Sequence, residues 1–174
     1  METAIRRASL PDARAVAEVH VASWRWAYRG DLPDALLDAL SIDDREAAHV
    51  QQIGDPGTTT DVVVAVGNGG AVVGFASTGP TRDDDAPPGT GELYAIYLVQ
   101  DAAGTGVGQA LLDRAGDDLR GAGFDRATLW VLASNARARR FYEREGWRWD
   151  VTTSEHRFDC GNRPIVRYTI DLQV

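Results

Sequence analysis

The stretch from Gly91 to Arg120, GELYAIYLVQDAAGTGVGQALLDRAGDDLR, restricts the folds open to this chain more than any other. It reads as an apolar strand, a glycine-rich turn and an amphipathic helix. Glu92 to Val99 carries Leu93, Tyr94, Ile96, Tyr97, Leu98 and Val99 in a run too continuous for simple alternation, as expected of a central strand buried on both faces. Gly104, Gly106 and Gly108 then lead into a helix whose inner row, Val107, Leu111, Ala115 and Leu119, is spaced by four. The helix therefore starts inside the glycine turn. A helix start presents unpaired N–H groups and about half a positive charge, and glycine lets an anion reach the backbone without meeting a Cβ. The turn reads as a pyrophosphate cradle, the alternative being a flexible turn with no ligand. It lacks the Lys-Ser/Thr ending of a P-loop and does not match Gly-x-Gly-x-x-Gly.

A second stretch, Ser134 to Trp147, reads SNARARRFYEREGW. Its Asn135, Ala138, Phe141, Tyr142, Gly146 and Trp147 resemble the Asn-x-x-Ala-x-x-Phe-Tyr-x-x-x-Gly-aromatic signature of the GNAT superfamily, the acyl-CoA-dependent N-acyltransferases. The turn at Gly104 to Gly108 is similar to that family's pyrophosphate loop, in the same order along the chain. The close likeness runs from Glu92 to Trp147. It departs from the family at Ala103, where Gln or Arg is common, and at Gln100, where Pro is usual, which puts a side-chain contribution to the cradle in doubt. The resemblance implies an α+β fold, with a mixed, largely antiparallel central sheet, one parallel strand pair and flanking helices. It also implies acetyl-CoA as cosubstrate and an amine acceptor, whether a small molecule, an amino acid, an antibiotic or a peptide N-terminus. A module that binds acyl-CoA without turnover, as a sensor or interaction partner, is the competing expectation.

Carried over residue by residue, the resemblance gives main-chain roles towards the pantetheine arm to Ile96, Tyr97 and Leu98. It places Gly104, Thr105, Gly106, Val107, Gly108 and Gln109 around the pyrophosphate and Asn135 beside the CoA arm, while Asn135 can also cap its helix. Tyr142 is the expected general acid for the departing thiolate, or else an aromatic packed with Phe141. Glu92 is the expected base for the acceptor ammonium, or else a solvent-facing strand-end carboxylate. By parity Glu92, Tyr94, Ile96 and Leu98 fall on one sheet face. Trp24, Trp26 and Tyr28 serve either the core or the wall of the acceptor pocket, and Trp130 supplies an apolar wall. Arg137, Arg139 and Arg140 read mostly as a solvated face.

The chain has 174 residues, 44% of them hydrophobic, which suits one domain spanning 1–174. A net charge of −8 argues against a nucleic-acid partner and mildly favours a cationic substrate. All 18 basic residues are Arg, so lysine has no part in the chemistry. Cys160 is the only cysteine, which fits a reducing cytoplasm, and no Cys/His cluster has metal-binding spacing. No apolar run suggests a membrane segment or leader.

Elsewhere Ile5 to Ala8 reads as a strand and Ser9 to Asp12 as a capping box opening a helix, with Ser41 capping another. The segments 61–67 and 71–77 read as a hairpin. The segment 78–90, with Asp83, Asp84 and Asp85 in a row, reads as a mobile exposed loop. Arg126 to Leu132 should pair in parallel with 92–99, and antiparallel strands at 148–151, 155–159 and 166–172 should close the sheet. The surplus of tryptophan, with Trp147 and Trp149 near the terminal strands, leads us to expect a homodimer.

Overall fold

The computed structural model describes residues 3–172. Seven strands form one sheet in the order β1-β2-β3-β4-β5-β7-β6, comprising β1 Ala4–Arg7, β2 Asp61–Val66, β3 Val72–Pro80, β4 Thr90–Leu98, β5 Arg126–Leu132, β6 Arg148–Phe158 and β7 Gly161–Asp171. The helices are α1 Ala13–Ala27, α2 Asp34–Asp38, α3 Ile42–Gly54, α4 Val107–Gly121 and α5 Ala136–Arg144. The expected hairpin is the β2–β3 pair, and β4 with β5 is the one parallel pair of the sheet. The two strands expected at 148–151 and 155–159 are a single strand, β6, bent where the register slips between Trp149 and Thr153 around Val151, which takes φ 65.

Each sheet face buries its own cluster. Val107, Leu111, Ala115 and Leu119 of α4, the row read from the spacing by four, pack with Leu93, Leu129, Tyr142 and Trp147. On the opposite face Val16 and Val19 of α1 meet Val62, Val64 and Phe75. Gly91 lets α4 lie close, because a Cβ there would come within 2.7 Å of a Leu119 methyl. The capping box expected at the first helix is present, with Ser9 and Asp12 facing each other across the first turn. Asp12 accepts the Ser9 N–H at 2.8 Å, and the Ser9 hydroxyl adds a second bond to the same carboxylate at 2.7 Å. At α3 Ser41 accepts from the Asp44 N–H, at 3.1 Å.

Between α1, α3 and β4 lies an imidazole pair, His49 buried and His20 partly so. His20 Nδ1 is 3.2 Å from His49 Nε2, and the His20 ring stacks on Tyr97 with centroids 5.0 Å apart. Burial, helped by Arg45 and His49, takes the His20 pKa from 6.5 down to about 3, and burial also lowers that of His49. Each ring is therefore neutral in the fold and more readily protonated in the unfolded chain. Between about pH 3 and 6.5 the unfolded state binds more protons, so stability falls as pH falls through that window. The urea midpoint is expected to drop steeply from pH 7 to pH 4.5, and less steeply in His20→Leu.

Candidate active site

The parallel pairing of β4 with β5 stops after four residues, Thr90 to Leu93 against Arg126 to Leu129. Beyond it β4 stays with β3 as far as Leu98, while β5 stays with β7 as far as Leu132. The strands part like the arms of a V. A bulge marks the fork, since Ser77 opposes Ala95 while Thr78 opposes Leu93 and Tyr94 has no partner in the register. The bulge corrects the parity reading of β4. Ile96 and Leu98 pack with Leu93 on the α4 face, and Ala95 and Tyr97 belong to the opposite face, so alternation does not carry from Glu92 to Leu98.

A cleft of about 1170 Å³ fills the fork, and Ile96, Tyr97 and Leu98 all line it. At one end is the glycine turn. Gly104 and Gly106 take φ of 76° and 91°, and a Cβ built on either would meet nothing within 4 Å, so the space before the turn is open. The first bond of α4 runs from the Ala110 N–H to Gly106 O at 3.0 Å, and the N–H groups ahead of it lie outside the helical ladder. Gly104, Gly106, Gly108 and Gln109 line the cleft. Thr105 instead donates its hydroxyl to Ala102 O at 2.7 Å, and Val107 turns its side chain into the core, so these two have only backbone to offer.

Asn135 caps α5 by accepting the Ala138 N–H at 3.0 Å, and it also borders the cleft. Two helical turns further, Tyr142 faces the same space at 8% exposure, tilted against Phe141, Trp147 and Tyr168. Its hydroxyl has no hydrogen-bond partner among the described residues. Burial, with Tyr97 nearby, pushes its pKa well up, and the phenols of Tyr28 and Tyr97 shift the same way for the same first cause. All three keep their protons at neutral pH. Trp24 and Tyr28 meet edge to face with centroids 5.2 Å apart and line the cleft, as does Trp130.

Several lining residues escape a reading by motif. Trp26 on α1 carries the guanidinium of Arg137 at 3.9 Å, closing one side of the mouth. His156 and Phe158 reach in from β6, and Arg82 from the loop after β3. Trp26 is a candidate wall from the aromatic density of its helix, whereas no local signal marks His156, Phe158 or Arg82, because segments far apart in sequence bring them together. Of the arginines read as a solvated face, Arg139 is in fact tied to Tyr168 Oη and Ala133 O, each at 3.1 Å.

Glu92 is not the solvent-facing carboxylate that its position at a strand start suggests. It is 2% exposed, accepts the Arg82 N–H at 2.9 Å, and is gripped by the Arg82 guanidinium. The loop beyond Arg82 is likewise not loose. Asp83 accepts from Trp130 Nε1 at 2.9 Å and Asp85 takes a two-pronged bond from Arg167, at 2.7 and 3.0 Å. Arg167, opposite Trp130 in the β5–β7 register, also donates to Asp150 at 2.7 Å and to Thr152 at 3.1 Å across the bend in β6. Three consecutive aspartates read as a solvated tip because their counter-charge lies more than eighty residues downstream.

The match to known proteins agrees with this geometry. Residues 16–147 fit the model of the acetyltransferase (GNAT) family. The chain belongs to that family. Its relatives include the uncharacterized N-acetyltransferase YuaI of Bacillus subtilis, 36% identical over 131 residues that span 75% of this chain and 72% of YuaI. The PaiA N-acetyltransferase of Thermoplasma acidophilum, solved in complex with coenzyme A, shares the fold at a TM-score of 0.73 and 19% identity, over 98% of this chain and 99% of that one. So does yncA of Salmonella typhimurium, solved with its cofactor acetyl-CoA, at 0.72 and 23%, over 100% and 96%. Among the described residues, no group of three or more metal-binding side chains is found and no helix is long and apolar enough to cross a membrane.

Arg167 is the tie whose loss is easiest to read. Arg167→Met should cost about 2 kcal/mol or more in urea unfolding, because three carboxylates lose a shared partner that is itself only 9% exposed. Deuterium exchange should then speed up at residues 81–86. Unchanged exchange there would show that the loop is held by other means.

Proposed function

We propose that this chain is an acetyl-CoA-dependent N-acetyltransferase that acylates a primary amine by direct attack within a ternary complex. The observation that carries the reading is the alignment, along one cleft, of an open glycine turn, unpaired strand backbone and a buried phenol. Acetyl-CoA supplies an acetyl group already activated as a thioester. The N–H groups of Gly104 to Gln109 receive its pyrophosphate, backbone at Ile96, Tyr97 and Leu98 pairs with the pantetheine arm, and Asn135 steadies that arm. The residues fit such a ligand, since the turn is open in front and the strand edge beyond Leu93 lacks a neighbour.

Tyr142 holds a proton on its hydroxyl where a departing thiolate needs one, and its raised pKa keeps that proton in place across the working range. Glu92 acts as the base only in a conformation in which Arg82 releases it, and with that pair closed the ammonium proton leaves to water. Trp24, Tyr28 and Trp130 wall the acceptor's side of the cleft. Trp149, 45% exposed on the edge strand β6, supports the homodimer reading, which sedimentation showing only monomer at micromolar protein would reject.

Acetyl-CoA should raise the melting temperature by mass action, and Gly106→Val should remove the shift, because its φ of 91° suits only glycine and its side chain would enter the open space. No shift in the parent at millimolar acetyl-CoA would reject the proposal. Tyr142→Phe is expected to keep the shift while losing about 10²–10⁴-fold in turnover. Full turnover in that variant, with chemistry rate-limiting, would leave the phenol a packing residue. A parent that binds acetyl-CoA yet releases no thiol with any amine would favour the non-catalytic acyl-CoA-binding module.

A further inference from the structure

Arg82 is anchored from several directions and open in one. Its backbone N–H and its Nε bond Glu92 Oε2 at 2.9 and 3.3 Å, and its Nη2 pairs with Glu92 Oε1. Its guanidinium carbon sits 4.2 Å from the centre of the Tyr94 ring, and the Tyr94 hydroxyl is in turn fastened to Pro80 O. The neighbouring backbone is fixed as well, with the Thr81 N–H on Thr90 O at 3.2 Å and Asp83 held by Trp130 and Arg167. Yet the Arg82 side chain is 67% exposed and borders the cleft, and Nη1 has no partner among the described residues. Burying a carboxylate to hold an exposed cation is a poor way to stabilise a fold, since desolvation of Glu92 offsets most of the attraction. It is an effective way to aim a guanidinium.

The position says what the open edge would meet. Tyr94 precedes Leu98 by four residues of extended chain, roughly 13 Å, so Arg82 lies towards the end of the cleft away from the glycine turn. Asp83 and Asp85 of the adjacent loop do not bond Nη1, because Asp83 is committed to Trp130 and Arg167 and Asp85 to Arg167. We propose that Arg82 reads a carboxylate on the acceptor, so that the preferred substrate is a free amino acid and not a simple amine or an amide. The planar fork of arginine suits a carboxylate, and its fixed position lowers the ordering cost of binding. Glu92 is then a positioning residue for Arg82. The inference rests on the acyl-transfer reading above and adds the class of acceptor.

The test compares free amino acids with their amides, pair by pair, at saturating acetyl-CoA, following thiol release. The acids should be preferred by about 10- to 100-fold in kcat/KM, the worth of one or two charge-assisted hydrogen bonds. In Arg82→Met the acid-to-amide ratio should fall towards one, through KM more than kcat. Arg82→Lys should recover part of the ratio, and Glu92→Gln should lower it with Arg82 still present. Thermal shifts in the presence of CoA give a second readout, in which N-acetyl amino acids should stabilise the protein more than N-acetyl amino-acid amides. Equal handling of acid and amide by the parent in both readouts would overturn the inference, as would an undiminished ratio in Arg82→Met. Faster turnover of both classes in Arg82→Met would also overturn it, showing that Arg82 masks Glu92. None of these outcomes touches the stabilisation by acetyl-CoA, whose absence would instead defeat the acyl-transfer reading itself.

Discussion

The fork between β4 and β5 is the constraint on which the rest of the molecule turns. A parallel pair inside a sheet normally satisfies its backbone along its whole length. Here each strand keeps its outer neighbour, β3 or β7, and gives up the inner one after Leu93 and Leu129. The bulge at Tyr94 adds twist where the strands must separate. The lining of the cleft is then placed by the gap: the helix α4 fixes the turn at one end, α5 brings Asn135 and Tyr142 to its flank, and the loop after β3 contributes Arg82.

The charges divide between two jobs. Arg167 is a hub that satisfies carboxylates from the acidic loop and from β6 in one place, and so converts a run of like charges into a fixed wall. The waist of the cleft, by contrast, carries groups held neutral. Tyr28, Tyr97 and Tyr142 keep their protons, and His20 just behind Tyr97 stays unprotonated. A neutral, polar waist between an open glycine turn and an arginine suits the proposed acyl transfer, whose charges appear and vanish at the reacting atoms.

Most of what was legible in the sequence was local. The periodicity of 107–119, the apolar run of 92–99 and the glycines between them locate the strand, turn and helix, because short-range chemistry determines each. The motif at Asn135 to Trp147 places the second helix and its tyrosine for the same reason. What could not be read depends on distance. Glu92 looks solvent-facing until Arg82 is seen beside it, Asp83 and Asp85 look loose until Arg167 closes on them, and Glu92, Tyr94, Ile96 and Leu98 look like one face of β4 until the partner strand shows a bulge. No pattern within β4 announces that bulge, since it exists only in the register with β3. His156 and Phe158 enter the cleft by way of a bent edge strand, which no local signal reveals.

The reach of Arg167 also bears on the order in which this protein assembles. Its bonds to Asp83 and Asp85 join residues 84 and 82 positions apart, whereas the glycine turn and the start of α4 need only neighbours along the chain. Closing so long a loop carries a larger entropic cost, which is recovered only after β7 has joined the sheet. During synthesis the turn and its helix are complete while the C-terminal strand is still missing. The wall proposed for the acceptor therefore forms late, and a chain interrupted before β7 would have the parts of the proposed cofactor cradle without the wall proposed to select the acceptor.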